Sequence, residues 1–239
     1  MSDGAGPRPF EAVLFDWDDT LCVAEPHRYV HAREAAAALG VERTMREVYA
    51  AFRRAGDSTT LPWSEFRRRL TGELGIPAEH EATFRAAYLA RDEQRQFALF
   101  DDVLDLFERV GPRNLRLGII SNNDDVVAHM QSLEVHHHFT IIVSPSTFGV
   151  AKPDPEVFHR TLDQMQVAPE RVLYVGDSYD NDVAGALAAG LTPVLIDRFQ
   201  VHDDEDGLFR VETLAELDDL LERLMQRDAP VAEQADESV

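Results

Sequence analysis

EAVLFDWDDT, residues 11–20, joins an apolar, partly β-branched run to three carboxylates in four positions. The apolar part has the pattern of a buried strand. The acids Asp16, Asp18 and Asp19 that end it repel one another and raise each other's pKa. The cluster is therefore either a solvated acidic turn or a place where a cation belongs. The residues placed after the other apolar runs of the chain decide between the two.

Downstream of the cluster the pattern changes. From Pro26 to about Ala98 the sequence reads as four helices, with Gly40 and Gly56 as stop signals, and no strand is predicted there. From residue 99 onwards, helical segments alternate with short apolar runs: LRLGIIS, FTIIVSP, RVLYVGD and TPVLI. Such alternation predicts a parallel sheet covered by helices on both faces. The expected architecture is a doubly wound, Rossmann-like α/β core formed by residues 10–21 and 99–228. An all-helical cap, residues 22–98, is inserted after the first strand. Residues 1–9 and 229–239 read as disordered ends. There is no internal repeat.

Composition narrows the partners. The 239 residues carry 44 acids against 23 basic residues, a net charge of −21. A chain so acidic repels nucleic acid and anionic membranes, and no stretch is apolar enough for a membrane span. The first ten residues lack the apolar segment of a secretory signal, and the single cysteine, Cys22, allows no internal disulfide. Both make the cytoplasm the expected compartment. Of the 23 basic residues only one, Lys152, is a lysine.

In an open α/β sheet, ligands bind beyond the carboxyl ends of the strands. The polar residues fall at those ends. AVLF is followed by Asp16, Asp18 and Thr20; LGII by Ser121 and Asn122; FTIIVSP leads to Lys152; VLYVG is followed by Asp177, Asp180 and Asp182. Converging carboxylates suit a hard divalent cation, with Mg²⁺ the expected one. A hydroxyl, an amide and an ammonium suit the oxygens of a phosphate. One carboxylate can attack phosphorus while a second protonates the leaving oxygen. The acids tolerate one another because a cation is expected among them.

DWDDT, IISNN, AKPDPEVF and VGDSYDNDVAGALAAG resemble, in this order, the four motifs of the haloacid dehalogenase superfamily. The resemblance covers residues 10–21 and about 99–225. It implies Asp16 as nucleophile and Asp18 as general acid and base. The implied substrate-binding set is Thr20, Ser121, Asn122 and Lys152. Mg²⁺ would be held by Asp16, Asp177 and the backbone carbonyl of Asp18, with Asp182 orienting Lys152 or the waters of the metal. The insert resembles a C1-type cap, which closes over small substrates. Members that release halide lack an acid two positions after the nucleophile, so Asp18 favours a phosphatase. The implied partner is a small phosphorylated metabolite: a sugar phosphate, phosphoglycolate or a nucleoside monophosphate. A phosphosugar mutase is the alternative within the family; a phospho-acceptor or non-catalytic regulatory protein is the alternative outside it. Oligomeric state is left open.

Other features carry plainer readings. Asp19 reads as a charge at a helix start, Asp180 as a solvated or capping acid, and His136–His138 as a solvated loop. Cys22 reads as a packed thiol and the acidic run 203–207 as a solvated loop. His27, Tyr29 and Arg33 of the first cap helix, and the loop 53–63, are the places where the cap has an opportunity to reach the site.

Overall fold

The computed structural model describes residues 10–56, 62–92, 96–202 and 207–227, so the two expected disordered ends and most of the acidic run 203–207 lie outside the described residues. Strand β1 is Ala12–Phe15, buried throughout. The insert comes next, with β2 (Cys22–Glu25), α1 (Arg28–Ala37), α2 (Met45–Ala55), α3 (Trp63–Glu73), α4 (Glu81–Asp92) and β3 (Gln96–Leu99). The rest of the core is α5 (Val103–Val110), β4 (Arg116–Ile120), α6 (Val126–Ser132), β5 (Ile141–Val143), α7 (Pro145–Phe148) and α8 (Pro155–Met165). It continues through β6 (Val172–Gly176), α9 (Ala184–Ala188), β7 (Thr192–Ile196), β8 (Phe209–Val211) and α10 (Leu214–Arg227).

Six strands form one sheet in the order β5-β4-β1-β6-β7-β8, and every pairing is parallel. The chain lays β4 and β5 on one side of β1 and β6, β7 and β8 on the other, so the winding direction reverses at β1. Successive side chains of a strand face opposite ways, and β1 divides accordingly. Val13 and Phe15 pack with α5 and α10 residues such as Leu106, Phe107 and Leu217. Ala12 and Leu14 pack with Val157, Phe158 and Leu162 of α8.

The insert has a hydrophobic cluster of its own, built from Tyr29, Val48, Phe52, Phe66, Leu70, Phe84 and their neighbours. Helix α2 shows why such helices form locally. Thr44 caps it in a capping box with Glu47, and Val48, Ala51, Phe52 and Ala55 recur on its buried face.

The structure differs from the sequence pattern in two places. The pattern predicts no strand between Pro26 and Ala98, yet Gln96–Leu99 pairs antiparallel with Cys22–Glu25. This ribbon forms both connections between insert and core, and each of its strands is only four residues long. The second is β8, a three-residue edge strand beside β7 that the pattern does not predict. Runs this short carry too little alternation to register as strands. Among the described residues, no helix is long and apolar enough to cross a membrane.

Candidate active site

The parallel ladder runs one residue beyond β1: the Asp16 amide donates to the carbonyl of Val175 at 2.8 Å. Likewise the Ser121 amide donates to Val143 at 3.0 Å. Both side chains therefore stand at strand ends, fixed by backbone they do not control. After Asp16 the chain turns tightly, with the amides of Leu21 and Cys22 both donating to the carbonyl of Trp17. This turn points Asp18 outward and puts Asp19 in the left-handed region, at φ 61°, which an Asp tolerates better than most residues.

Lys152 is the hub of the site. Its ammonium donates to Asp16 Oδ1 at 2.6 Å, to Asp182 Oδ1 at 2.6 Å and to the Tyr174 hydroxyl at 2.9 Å. Three acceptors use all three of its protons. Burial alone disfavours the ammonium, but Asp16 and Asp182 outweigh it and hold the group firmly charged. Asn122 spends its side-chain amide on the same residue. Its Oδ1 accepts from the Lys152 amide at 2.8 Å, and its Nδ2 donates to the Lys152 carbonyl at 2.9 Å.

Asp182 reaches Lys152 because a wide π-type turn, Tyr179–Val183, brings it back toward the end of β6. Its second oxygen accepts from the Ser178 amide at 2.9 Å. Gly176 makes room for it: a Cβ there would lie 2.3 Å from Asp182 Cγ, closer than atoms can pack.

The acids differ in how they are held. Burial, with the repulsion of Asp182 and Asp18, pushes Asp16 up to about 7 against the pull of Lys152. Burial also raises Asp18, whose carboxylate accepts from Asn123 Nδ2 at 3.1 Å. Asp177 lies well above the ordinary carboxylate range, through burial and then the repulsion of Asp19, Asp16 and Asp182. Asp19 is the exception. Burial works against its charge, but Arg28 at 2.9 Å and His27 at 2.8 Å outweigh burial and hold it low.

These residues line one cavity of about 710 Å³ between core and insert. Its floor carries Asp16, Asp18, Ser121, Asn122, Lys152, Asp177 and Asp182. Of the sequence candidates Thr20 is missing. It is fully buried, its hydroxyl has no hydrogen-bond partner among the described residues, and its carbonyl accepts from Arg198 at 2.8 Å. The tight turn faces it into the protein, so the assignment of Thr20 to substrate binding is not supported. Asn122 does line the cavity, but both ends of its amide are committed to Lys152 rather than free for a substrate. Asp19 is no helix-start charge; it is a buried acid clamped to the first cap helix.

Several plainer readings agree with the structure. Cys22 is a buried free thiol, and His136–His138 form an exposed turn. Asp180 is exposed, but it pairs with Arg53 of the insert at 2.6 Å. His27, Tyr29 and Arg53 line the cavity, whereas Arg33 does not; residues 57–61 of the loop 53–63 lie outside the described residues. The sequence pattern does not mark Tyr174 or Asn123. Tyr174 sits in mid-strand, where its only signal is that a fully buried tyrosine needs a partner for its hydroxyl.

The donor set is suited to a divalent metal. Asp16, Asp177 and Asp182 each bring one carboxylate oxygen within 4.8 Å of the others. Three negative charges against the one of Lys152 leave two to neutralise. Asp182 is used up on Lys152, Tyr174 and Ser178. Asp16 Oδ2 and the Asp177 carboxylate accept no hydrogen bond from the described residues. Hard oxygen donors without histidine or thiolate favour Mg²⁺ or a similar ion over softer metals.

A doubly wound parallel sheet with an acidic rim at its strand ends, and a helical insert over that rim, is the frame in which these residues meet. The chain belongs to the haloacid dehalogenase-like hydrolases, whose family model matches residues 10–190. It is 29% identical over 234 residues to a glyceraldehyde 3-phosphate phosphatase of Methanopyrus kandleri, covering 90% of this chain and 98% of the relative. It is 25% identical to a ribulose-1,5-bisphosphate 5-phosphatase of Halopiger xanaduensis, over 88% of this chain and 98% of that one. The magnesium-bound HAD-hydrolase YfnB of Bacillus subtilis has the same fold, with a TM-score of 0.60 and 21% identity, covering 89% of this chain and 98% of that structure.

Proposed function

We propose that this chain is a Mg²⁺-dependent phosphatase that hydrolyses a small phosphate monoester through an aspartyl-phosphate on Asp16. One observation carries the reading: Lys152 bonds one oxygen of Asp16, a residue that lines the cavity, and leaves the other without a hydrogen bond from the described residues, two residues from an acid whose pKa is raised. Asp16 Oδ2 attacks phosphorus, and the bond from phosphorus to the ester oxygen breaks. Asp18, whose burial favours the protonated form, gives its proton to that oxygen. Asp18 then takes a proton from water, whose oxygen attacks phosphorus, and the bond to Asp16 breaks to release inorganic phosphate.

Through both steps Lys152 holds the Asp16 carboxylate in place, and Ser121, at the adjacent strand end, is the hydroxyl placed for a phosphate oxygen. Asp16, Asp177 and the Asp18 carbonyl are the groups to hold Mg²⁺, which when bound supplies charge neutralisation for the transferring group. Relatives named for glyceraldehyde 3-phosphate, ribulose-1,5-bisphosphate and phosphoserine support a small phosphorylated metabolite as the substrate class, and the reaction is proposed to take place in the cytoplasm.

The test is phosphate release from glyceraldehyde 3-phosphate, phosphoglycolate, other sugar phosphates and nucleoside monophosphates, with Mg²⁺ or with chelator. Turnover that requires Mg²⁺ and vanishes in Asp16→Asn is expected. Isomerised sugar phosphate in place of free phosphate would make the chain a mutase. Turnover that survives in Asp16→Asn would remove the nucleophile.

A further inference from the structure

Asp177 has the one acidic side chain at the strand ends that hydrogen bonding does not explain. Its carboxylate takes no hydrogen bond from the described residues, and the sheet does not orient it either. The β6–β7 register ends at Gly176 opposite Leu195, so the peptide after Asp177 has no strand partner. The N–H of that peptide, which belongs to Ser178, donates to Asp182 at 2.9 Å, and a histidine 25 positions later takes its carbonyl. His202 Nε2 lies 2.9 Å from the carbonyl oxygen of Asp177. A carbonyl only accepts, so Nε2 carries the proton and donates.

His202 is itself held from several sides. It is buried, its amide donates to Asp197 Oδ2 at 3.1 Å, and the neighbouring Val201 amide donates to Asp197 Oδ1 at 2.8 Å. Asp197 directly follows β7 and is paired with Arg210 at 2.8 Å. From the insert, Arg46 of α2 donates to the carbonyls of Gln200 and His202, and the Tyr49 ring meets the imidazole edge-on at 4.9 Å. The imidazole is thus clamped between the end of β7 and the second cap helix, with its one donor on the Asp177 backbone.

We infer that His202 is a positioning residue for the cation site: it fixes the peptide that aims the Asp177 carboxylate at Asp16, and the cap helix α2 braces it in that role. The inference rests on the proposed Mg²⁺ site. Groups that hold metal ligands from behind characteristically govern affinity without touching the metal. No sequence motif marks the residue, because its partner is a backbone oxygen.

The experiment is a Mg²⁺ titration of chelator-stripped protein followed by thermal shift, on wild type, His202→Phe and His202→Gln. Phenylalanine keeps a ring against Tyr49 but donates nothing; glutamine keeps an N–H able to reach the carbonyl. The half-saturating Mg²⁺ concentration is expected to rise by about tenfold or more in His202→Phe and to be substantially restored in His202→Gln. Should His202→Phe fail to fold by circular dichroism, His202→Leu repeats the donorless condition with a smaller side chain. A donorless variant that melts lower without Mg²⁺ yet keeps the wild-type half-saturation would overturn the inference, because His202 would then only pack. Equal weakening in His202→Gln would overturn it as well. A wild-type protein whose melting ignores Mg²⁺ would remove the metal site itself, and this role with it.

Discussion

The floor and the roof of the cavity are built by opposite means. On the floor the charged groups are tied down singly: Lys152 has three acceptors, Asp182 uses both oxygens, and Asp16 and Ser121 stand on backbone that belongs to the sheet. In the roof, rings hold one another. Tyr29 meets Tyr49 at 5.5 Å and Phe52 at 4.9 Å, and Phe52 in turn meets Phe66 at 5.8 Å. A floor of this kind fixes which atoms meet, so it fixes the type of reaction. The packed rings of the roof set shape, beside the charges that Arg28 and Arg53 bring to its edge, and shape can be altered by exchanging one ring for another without disturbing the chemistry below.

The sharpest way to break that contrast is at Asp18. Asp18→Asn is expected to lower kcat/KM, which reports the steps through release of the alcohol and not the later hydrolysis in which Asp18 is the base, by roughly 10²–10⁴-fold on an alkyl phosphate. It should lose much less on 4-nitrophenyl phosphate, whose leaving group needs no proton. Equal losses on both would deny Asp18 its acid role. Above it, Phe52→Ala should cost the insert about 3–5 kcal/mol. Hydrogen exchange would locate the loss in α1–α4, with β1, β4 and β6 still protected. Loss of protection in those strands would mean that floor and roof are not separately built.

Acid-base linkage gives a smaller effect confined to the floor. The folded-state pKa of Asp16 is raised from 3.8 to about 7. Its contribution to stability is therefore complete below the unfolded value and is lost as pH rises through the folded one. In chelator, the melting temperature should fall as pH rises from about 5 to about 8, and Asp16→Asn should flatten that fall. Burial-raised Asp18 and Asp177 act in the same direction, so the slope will not vanish. Smallest is Arg53→Ala, which removes the exposed pair of Arg53 with Asp180. It should change stability by less than about 1 kcal/mol, and a larger loss would show that this pair does more than bridge roof and floor.

The same contrast explains what could be read from the chain alone. The sheet was legible because strands buried on both faces appear as unbroken apolar runs; Asp16, Ser121 and Asp177 stood out because each comes directly after such a run, and Lys152 and Asp182 because they follow one within about ten residues. The short ribbon β2–β3 and β8 gave no comparable run. Thr20 misled because sequence adjacency to Asp18 does not reveal which way a tight turn faces a side chain. Asp19 misled for a related reason: its partners His27 and Arg28 lie beyond the turn, and they convert an apparent surface charge into a buried one. Asn123, Tyr174 and His202 act through a carboxylate, an ammonium and a carbonyl placed near them only by folding. The roof was least legible, since aromatic residues at helical spacing look alike whether they line a cavity or fill a core.

The solitary lysine has a practical consequence. Lys152 is 5% exposed and lies at the bottom of the cavity. An amine-acylating reagent offered to the native protein meets no side-chain amine elsewhere, and meets this one only when cap and core part or the site comes undone. The rate at which that one position acquires a label, read by mass on the peptide that contains it so that the chain's α-amine is not counted, is then a clock for opening. Substrate-sized anions or Mg²⁺ that slow the clock would report closure directly, on unmodified protein and without an introduced probe.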